Sequence, residues 1–299
     1  MYKKIGIITS TYLPMPLMMN LHQQGLLEQV MLHPDAEAML REPLSNMIAP
    51  MEINRIDDPA NPPVKDSCDL VIVMGYPVKI TGTYPAKLVN MHFGPLPENK
   101  GPDPVFWTLK NGKLLAYVAI HEISAEGDFD SGLILKEQSF DIAPGENYGL
   151  LSSRLSHMCI PMVQELIAGD TKPRAQESDR AQYNPMPAGP DFMIDWDEMT
   201  ALQIENLVNA CNPVHGGAKT VLQGGTLSIY EVMPASLVVA DAEKKQPGEV
   251  VHSSLEQGLI VKCKDGNYLK INILSLNEGI FSGNKIAALG TPVGTLLGK

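Results

Sequence analysis

The sequence predicts an α/β fold, a doubly wound and mostly parallel sheet, followed by a small β-rich domain. Three observations carry that prediction. Continuous apolar runs at 5–10, 70–74 and 88–91 read as buried strands, with helix-like stretches between them. A stretch from Asp170 to Pro190 carries Pro173, Pro185, Pro187 and Pro190 among charged and polar residues, and reads as a linker. Beyond Thr226 come short β-like runs at 227–232, 248–252, 259–263 and 268–274, a spacing expected of a small barrel or sandwich. A chain of 299 residues is also longer than one core usually serves. The expected division is 1–170, a linker at 171–193, and 194–299.

Taken in order, Ile5–Ser10 is a first buried strand. The 21–31 stretch has a mixed periodicity compatible with a helix. The turn between them, Thr11-Tyr12-Leu13-Pro14, lacks the Gly-x-Gly of a dinucleotide site, so no NAD is expected. Leu70–Met74 is a parallel strand ended by Gly75-Tyr76-Pro77. Leu88–Met91 delivers Asn90 and His92 to a loop rich in Pro and Gly. Residues 105–110 read as a short helix closed by Asn111-Gly112, with Trp107 in the core. His121 ends the next strand, either as a packing residue or as part of a site. From Glu146 to Ala168, apolar residues recur at helical spacing; Pro161 is expected to kink or divide that helix, and Gly169 to end it. Asp265-Gly266 marks a hairpin between the last two runs.

Composition narrows the function. No apolar run approaches the roughly 20 residues of a membrane span, and the polar Ser10 and Thr11 interrupt the N-terminal run too early for a signal peptide. No membrane partner is expected. Four scattered cysteines without metal spacing fit packing thiols in a reducing cytoplasm, with neither disulfide nor metal. Twenty-three basic residues stand against 34 acidic ones, a net charge of -11. That balance disfavours a nucleic-acid partner, whose phosphates must be neutralised by Lys and Arg. A homo-oligomer is left open.

The stretch from Asn90 to Pro104 is where chemistry is expected. Residues i and i+2 of a strand share a face, so the Asn90 amide and the His92 imidazole project side by side. Pro95, Pro97, Pro102 and Pro104 stiffen the loop beyond them. Asp128-Phe129-Asp130-Ser131-Gly132 forms an acidic turn between two apolar segments. It places Asp130 on a loop at a strand end, where open α/β sheets bind ligands. Together Asn90 and His92, Leu96-Pro97, Lys100-Gly101 with Pro104, and Asp130 with Gly132 resemble the formyltransferase family that uses 10-formyltetrahydrofolate. Ile194-Asp195-Trp196 and Asn212-Pro213 resemble the carboxy-terminal domain of methionyl-tRNA formyltransferase, which is similar to an oligonucleotide-binding barrel.

The resemblance implies a Rossmann-like catalytic domain and formyl transfer to an amine. It implies Asn90, His92 and Asp130 as catalytic residues, 10-formyltetrahydrofolate as co-substrate and no metal. It also implies a folate pocket lined by Met74, Gly75, Tyr76 and Pro77 and by Gly127 and Asp128, with Gly94, Pro95 and Lys100 toward the acceptor. The residue types suit the reaction. A tetrahedral intermediate needs donors for its oxyanion and a route for the amine proton. Asn90 and His92 can donate, and Asp130 can raise the imidazole pKa and accept a proton.

Gly94-Pro95 stands where family members commonly have Ser-Leu, and is closer to enzymes that formylate amino sugars. Nothing between Ile5 and Asn61 matches the basic loop that methionyl-tRNA formyltransferases usually carry. From Asp195 onward eight Lys face eleven carboxylates. The expected acceptor is therefore a small amine such as an amino sugar nucleotide. The alternatives are initiator methionyl-tRNA and, from another class, a folate-binding or regulatory protein without turnover.

Overall fold

The computed structural model describes residues 2–299. Two compact units emerge, neither continuous in sequence. One holds residues up to Pro104, Leu115–Asp141 and Ser152–Met186; the other holds Val105–Leu114, Ile142–Leu151 and Pro187–Lys299.

The first unit is built on a seven-stranded sheet. Its strands β1 (Ile5–Thr9), β2 (Leu27–Leu32), β3 (Ile53–Arg55), β4 (Leu70–Met74), β5 (Lys87–His92), β6 (Leu115–Glu122) and β7 (Ile134–Asp141) lie in the order β3-β2-β1-β4-β5-β6-β7. The first five are parallel, and β6 and β7 each run antiparallel to the preceding strand. The all-apolar β4 is buried at every position, as a strand covered on both faces requires. Ile8, Met31, Val71, Val73 and Leu88 are members of one buried cluster on this sheet.

Helix α1 (Met15–Gln23) differs from the helix expected at 21–31. Gly25 takes φ +68 and stops the chain turning, and Leu27 to Leu32 pair with β1 instead. Propensity there was ambiguous, and sheet pairing decided it. Helix α2 (Pro34–Met47) starts at His33, whose Nδ1 accepts from the Asp35 N–H. Helix α3 (Pro104–Lys110) ends at the expected Asn111-Gly112 turn, but the fully buried ring is that of Phe106, while Trp107 is half-buried. Helix α4 (Tyr148–Ala168) is one continuous helix through Pro161. Pro161 is exposed, so the carbonyl that lacks its N–H partner faces water, where the loss is small.

The second unit contains helix α5 (Ala201–Cys211), capped reciprocally by Thr200 and Gln203. Its strands are β8 (Ala218–Leu222), β9 (Gly225–Ala235), β10 (Val250–Ser254), β11 (Gly258–Lys262), β12 (Tyr268–Leu276) and β13 (Gly279–Ser282), followed by helix α6 (Gly283–Ala288). They form an antiparallel sheet in the order β10-β11-β12-β9-β8, with β13 on β12. The carboxy-terminal residues bridge both ends of that sheet, Leu297 to Leu222 on β8 and Leu296 to Glu249 beside β10. That closure makes the sheet barrel-like and covers its edges. Trp196 is buried there, its indole N–H donating to Thr220 Oγ1 at 2.9 Å.

The Pro-rich segment at 171–193 divides between the units at Met186. Its first half is hydrogen-bonded to the first unit: Arg174 pairs with Ile134, and Gln182 N–H donates to the Pro97 carbonyl.

Candidate active site

Strand β5 presents Asn90 and His92 on one face, and the antiparallel register sets His121 of β6 directly opposite Asn90. Asp130 reaches all three. Its Oδ1 lies 3.3 Å from Asn90 Nδ2 and 3.2 Å from His121 Nε2; its Oδ2 lies 3.7 Å from His92 Nδ1 and accepts the Gly101 N–H at 2.9 Å. The Asp130 side chain is only 9% exposed. Its loop does not leave from the carboxyl edge of the parallel strands, as the sequence suggested. Strand β6 is antiparallel, so the loop departs from the opposite edge and folds back over the sheet face. Asp130 adopts φ 53, a left-handed conformation uncommon for a residue with a side chain. A Cβ on Gly132 would meet the Glu122 carbonyl oxygen at 1.9 Å, so the turn needs glycine there.

Hydrogen-bond roles follow from the fixed partners. His92 Nε2 lies 2.7 Å from the Asn99 carbonyl, which can only accept, so that nitrogen carries the proton and Nδ1 holds a lone pair. His121 Nδ1 faces the Glu122 carbonyl at 3.0 Å and its Nε2 faces the Asp130 carboxylate. The same Nε2 also lies 3.1 Å from the Asn90 amide nitrogen, so it stands between a donor and an acceptor. The Asn90 amide nitrogen is thus within hydrogen-bond distance of both the Asp130 carboxylate and the His121 ring.

Burial pushes the His92 imidazole below its ordinary 6.5, outweighing the Asp130 carboxylate that pulls the other way. Asp130 does pull this pKa upward, in the expected direction, but desolvation is the larger effect and the net shift is down. For Asp130, burial opposes ionisation, yet the two imidazoles and the Gly101 N–H win and hold the carboxyl well below its ordinary 3.8.

The other residues singled out in the sequence fall into three places. Met74 is the buried last residue of β4, and register puts Gly75 beside His92, one step past the Met74–Met91 pair. Gly75 takes φ +59, and its carbonyl already accepts the backbone N–H and hydroxyl of Ser10. The Tyr76 hydroxyl donates to the Pro59 carbonyl at 2.8 Å, and Pro77 is exposed. Gly127 and Asp128 lie on the Asp130 loop, where the Asp128 carbonyl accepts from Ser131 Oγ at 2.7 Å. Gly94 is buried, and a Cβ there would meet Pro104 at 2.9 Å; the Pro95 carbonyl accepts the Asn99 N–H. Lys100 is held by its backbone N–H on the Gln182 carbonyl. His121, open in the sequence reading, belongs to the cluster, and the motif residue Gly101 supplies an N–H to Asp130; Asn99 and Gln176 carry no signal in the sequence. Among the described residues no group of three or more His, Cys, Asp or Glu is arranged for a metal ion.

Residues 190–286 match the formyl transferase C-terminal domain. A methionyl-tRNA formyltransferase from Syntrophus aciditrophicus is 33% identical over 210 residues, 68% of this chain and 64% of that protein. The chain belongs to a formyltransferase family. The alignments cover 64%, 75% and 58% of three such relatives' own lengths, so parts of them have no counterpart in the match. The fold is shared with HypX from Aquifex aeolicus in complex with tetrahydrofolic acid, at TM-score 0.66 and 18% identity over 96% of this chain and 47% of that one. It is shared too with WlaRD, a sugar 3N-formyl transferase in the presence of dTDP and 5-N-formyl-THF. That likeness has TM-score 0.64 and 16% identity over 89% of this chain and 96% of that one. The family membership and the α/β fold followed by an antiparallel barrel-like domain agree with the sequence reading. Among the described residues no helix is long and apolar enough to cross a membrane.

Proposed function

We propose that this chain transfers a formyl group from 10-formyltetrahydrofolate to a primary amine at the Asn90–His92–Asp130 cluster. The observation that carries the reading is the convergence of these three side chains and His121 on one sheet face, in a chain of a formyltransferase family. Attack of the amine nitrogen on the formyl carbon forms a C–N bond and an oxyanion, which the Asn90 amide, a donor positioned by Asp130 and His121, is suited to hold. The amine nitrogen then loses a proton, the bond from the formyl carbon to N10 of the folate breaks, and N10 gains a proton. His92 Nδ1, a lone pair on a neutral ring, is the better base for this transfer. Asp130 is too weak a base, so its work is electrostatic: it orients Asn90 and faces both imidazoles. In this reading the folate would contact Gly75–Pro77 after β4, with Gly127 and Asp128 of the Asp130 loop as further candidate contacts.

The acceptor that fits best is a small amine, such as an amino sugar on a nucleotide. Five of the eight lysines after Asp195 are committed inside their own unit: Lys219 to Ser228, Lys244 to Asp241, Lys245 to Glu249, Lys262 to two carbonyls and Lys264 to Glu198. With the exposed Lys244 and Lys264 pairs open to exchange, those two and Lys270, Lys285 and Lys299 could meet phosphates, still few for a tRNA stem beside eleven carboxylates. The names of the relatives favour initiator methionyl-tRNA as the second reading. Incubation with the folate and a panel of amines, followed by mass spectrometry, tests the chemistry; absence of any formylated product removes it in favour of a folate-binding protein without turnover. Filter binding of charged initiator tRNA across a salt series tests the acceptor. Submicromolar binding that collapses with salt, with formylation of the methionine, would replace the small amine.

A further inference from the structure

The segment at 174–184 touches both loops that carry the cluster. Gln176 Nε2 donates to the backbone carbonyls of Asp130, at 2.7 Å, and Gly132, at 2.8 Å. Both N–H groups are thus spent across the turn that holds Asp130 in its left-handed conformation. Gln176 Oε1 is buried without a partner, and rotating the amide would set that oxygen against both carbonyls. The side chain is locked in the one orientation that grips the turn. Arg174 anchors this end by exchanging two 2.9 Å backbone hydrogen bonds with Ile134.

Ten residues from Arg174, Asn184 Nδ2 donates to Asn99 Oδ1 at 2.6 Å, and Asn99 supplies the carbonyl that fixes the His92 proton. The Asn184 N–H donates to the Lys100 carbonyl and the Lys100 N–H to the Gln182 carbonyl, both at 2.9 Å. Those bonds hold Lys100, immediately before Gly101, whose own N–H binds the Asp130 carboxylate.

We propose that Arg174–Asn184 is a strap that sets the separation of Asp130 and His92, with Gln176 as a positioning residue acting through Asp130. The proposal rests on the formyl-transfer reading of that pair only for its kinetic consequence. A site that must hold its groups to fractions of an ångström depends on such supporting contacts.

The test compares wild type with Gln176→Glu, which keeps the shape but removes both N–H donors, and Gln176→Met as a second variant should the first not fold. We expect kcat for formyl transfer to fall at least about tenfold, the Kd for 5-formyltetrahydrofolate to stay within about twofold, and amide exchange at Gly101 to quicken at least about tenfold. Unchanged exchange at Gly101 overturns the strap, whatever happens to kcat. So does a kcat within twofold of wild type alongside quickened exchange, since the positions would then not matter to the chemistry. If the wild-type protein transfers no formyl group while Gly101 exchange still quickens, the catalytic reading falls and the positioning stands.

Discussion

His92 donates its Nε2–H to the Asn99 carbonyl, 2.7 Å away, and so keeps a single nitrogen, Nδ1, for anything that enters the site. A nitrogen in that state is a base, and only while the ring is neutral. The rate should therefore be flat around neutrality and fall as pH drops through a pKa depressed below 6.5. A pH profile of kcat/KM for wild type and His92→Gln checks this. The variant should lose the acid limb along with most of its rate, and a wild-type rate that climbs on acidification would sink the assignment.

Asp130→Asn keeps a polar side chain of the same size but loses the charge that faces His121. Turnover should drop by at least about two decades, within the range that acid–base and electrostatic groups supply. Folate affinity, by titration calorimetry, should stay near wild type. Wild-type turnover in this variant would remove Asp130 from the mechanism and leave the fold untouched.

Acid should also weaken folding. The folded protein resists protonating His92, whereas the unfolded chain accepts a proton near 6.5. Stability from this group is complete above that value and declines as pH falls below it. Asp130 adds a further loss once pH passes below 3.8, because its carboxyl too is depressed in the folded state. Melting temperatures taken between about pH 7.5 and pH 5.5 should fall more steeply for wild type than for His92→Gln; parallel curves would contradict the sign.

Gly132→Ala should disable the site with less damage to the remainder of its unit. The added carbon must displace the Glu122 carbonyl, and the Asp130 turn moves with it. We expect a loss of activity of about a hundredfold or more, with far-UV circular dichroism preserved. Retained activity would mean the turn tolerates the shift.

All four thiols should be inert in the native protein. Each is buried, and burial pushes Cys68 up to about 11 and Cys263 up to about 12, so the reactive thiolate is scarce. Ellman's reagent should report four thiols in denaturant and almost none without it; a rapid native thiol would show that one of these sites opens.

Much of this arrangement was legible along the chain, and the rest was not for identifiable reasons. Apolar runs exposed β4 and β5, and a period of two put Asn90 and His92 on one face. Such signals are local. His121 enters because an antiparallel register sets it against Asn90, and register between strands about thirty residues apart is not written in either strand alone. Gln176 and Asn184 lay hidden in a Pro-rich stretch whose composition says only that it is neither helix nor buried strand. The 21–31 stretch failed differently, since one glycine at positive φ outweighed a helical pattern.

The chain passes from one compact unit to the other five times, at 104, 114, 141, 151 and 186. Neither unit is therefore a detachable cassette. A fragment cut at Met186 would carry away Val105–Leu114 and Ile142–Leu151 from the body they belong to, and the remaining piece would lack them. Recombination or grafting that treats the carboxy-terminal region as a module would leave Val105–Leu114 and Ile142–Leu151 behind.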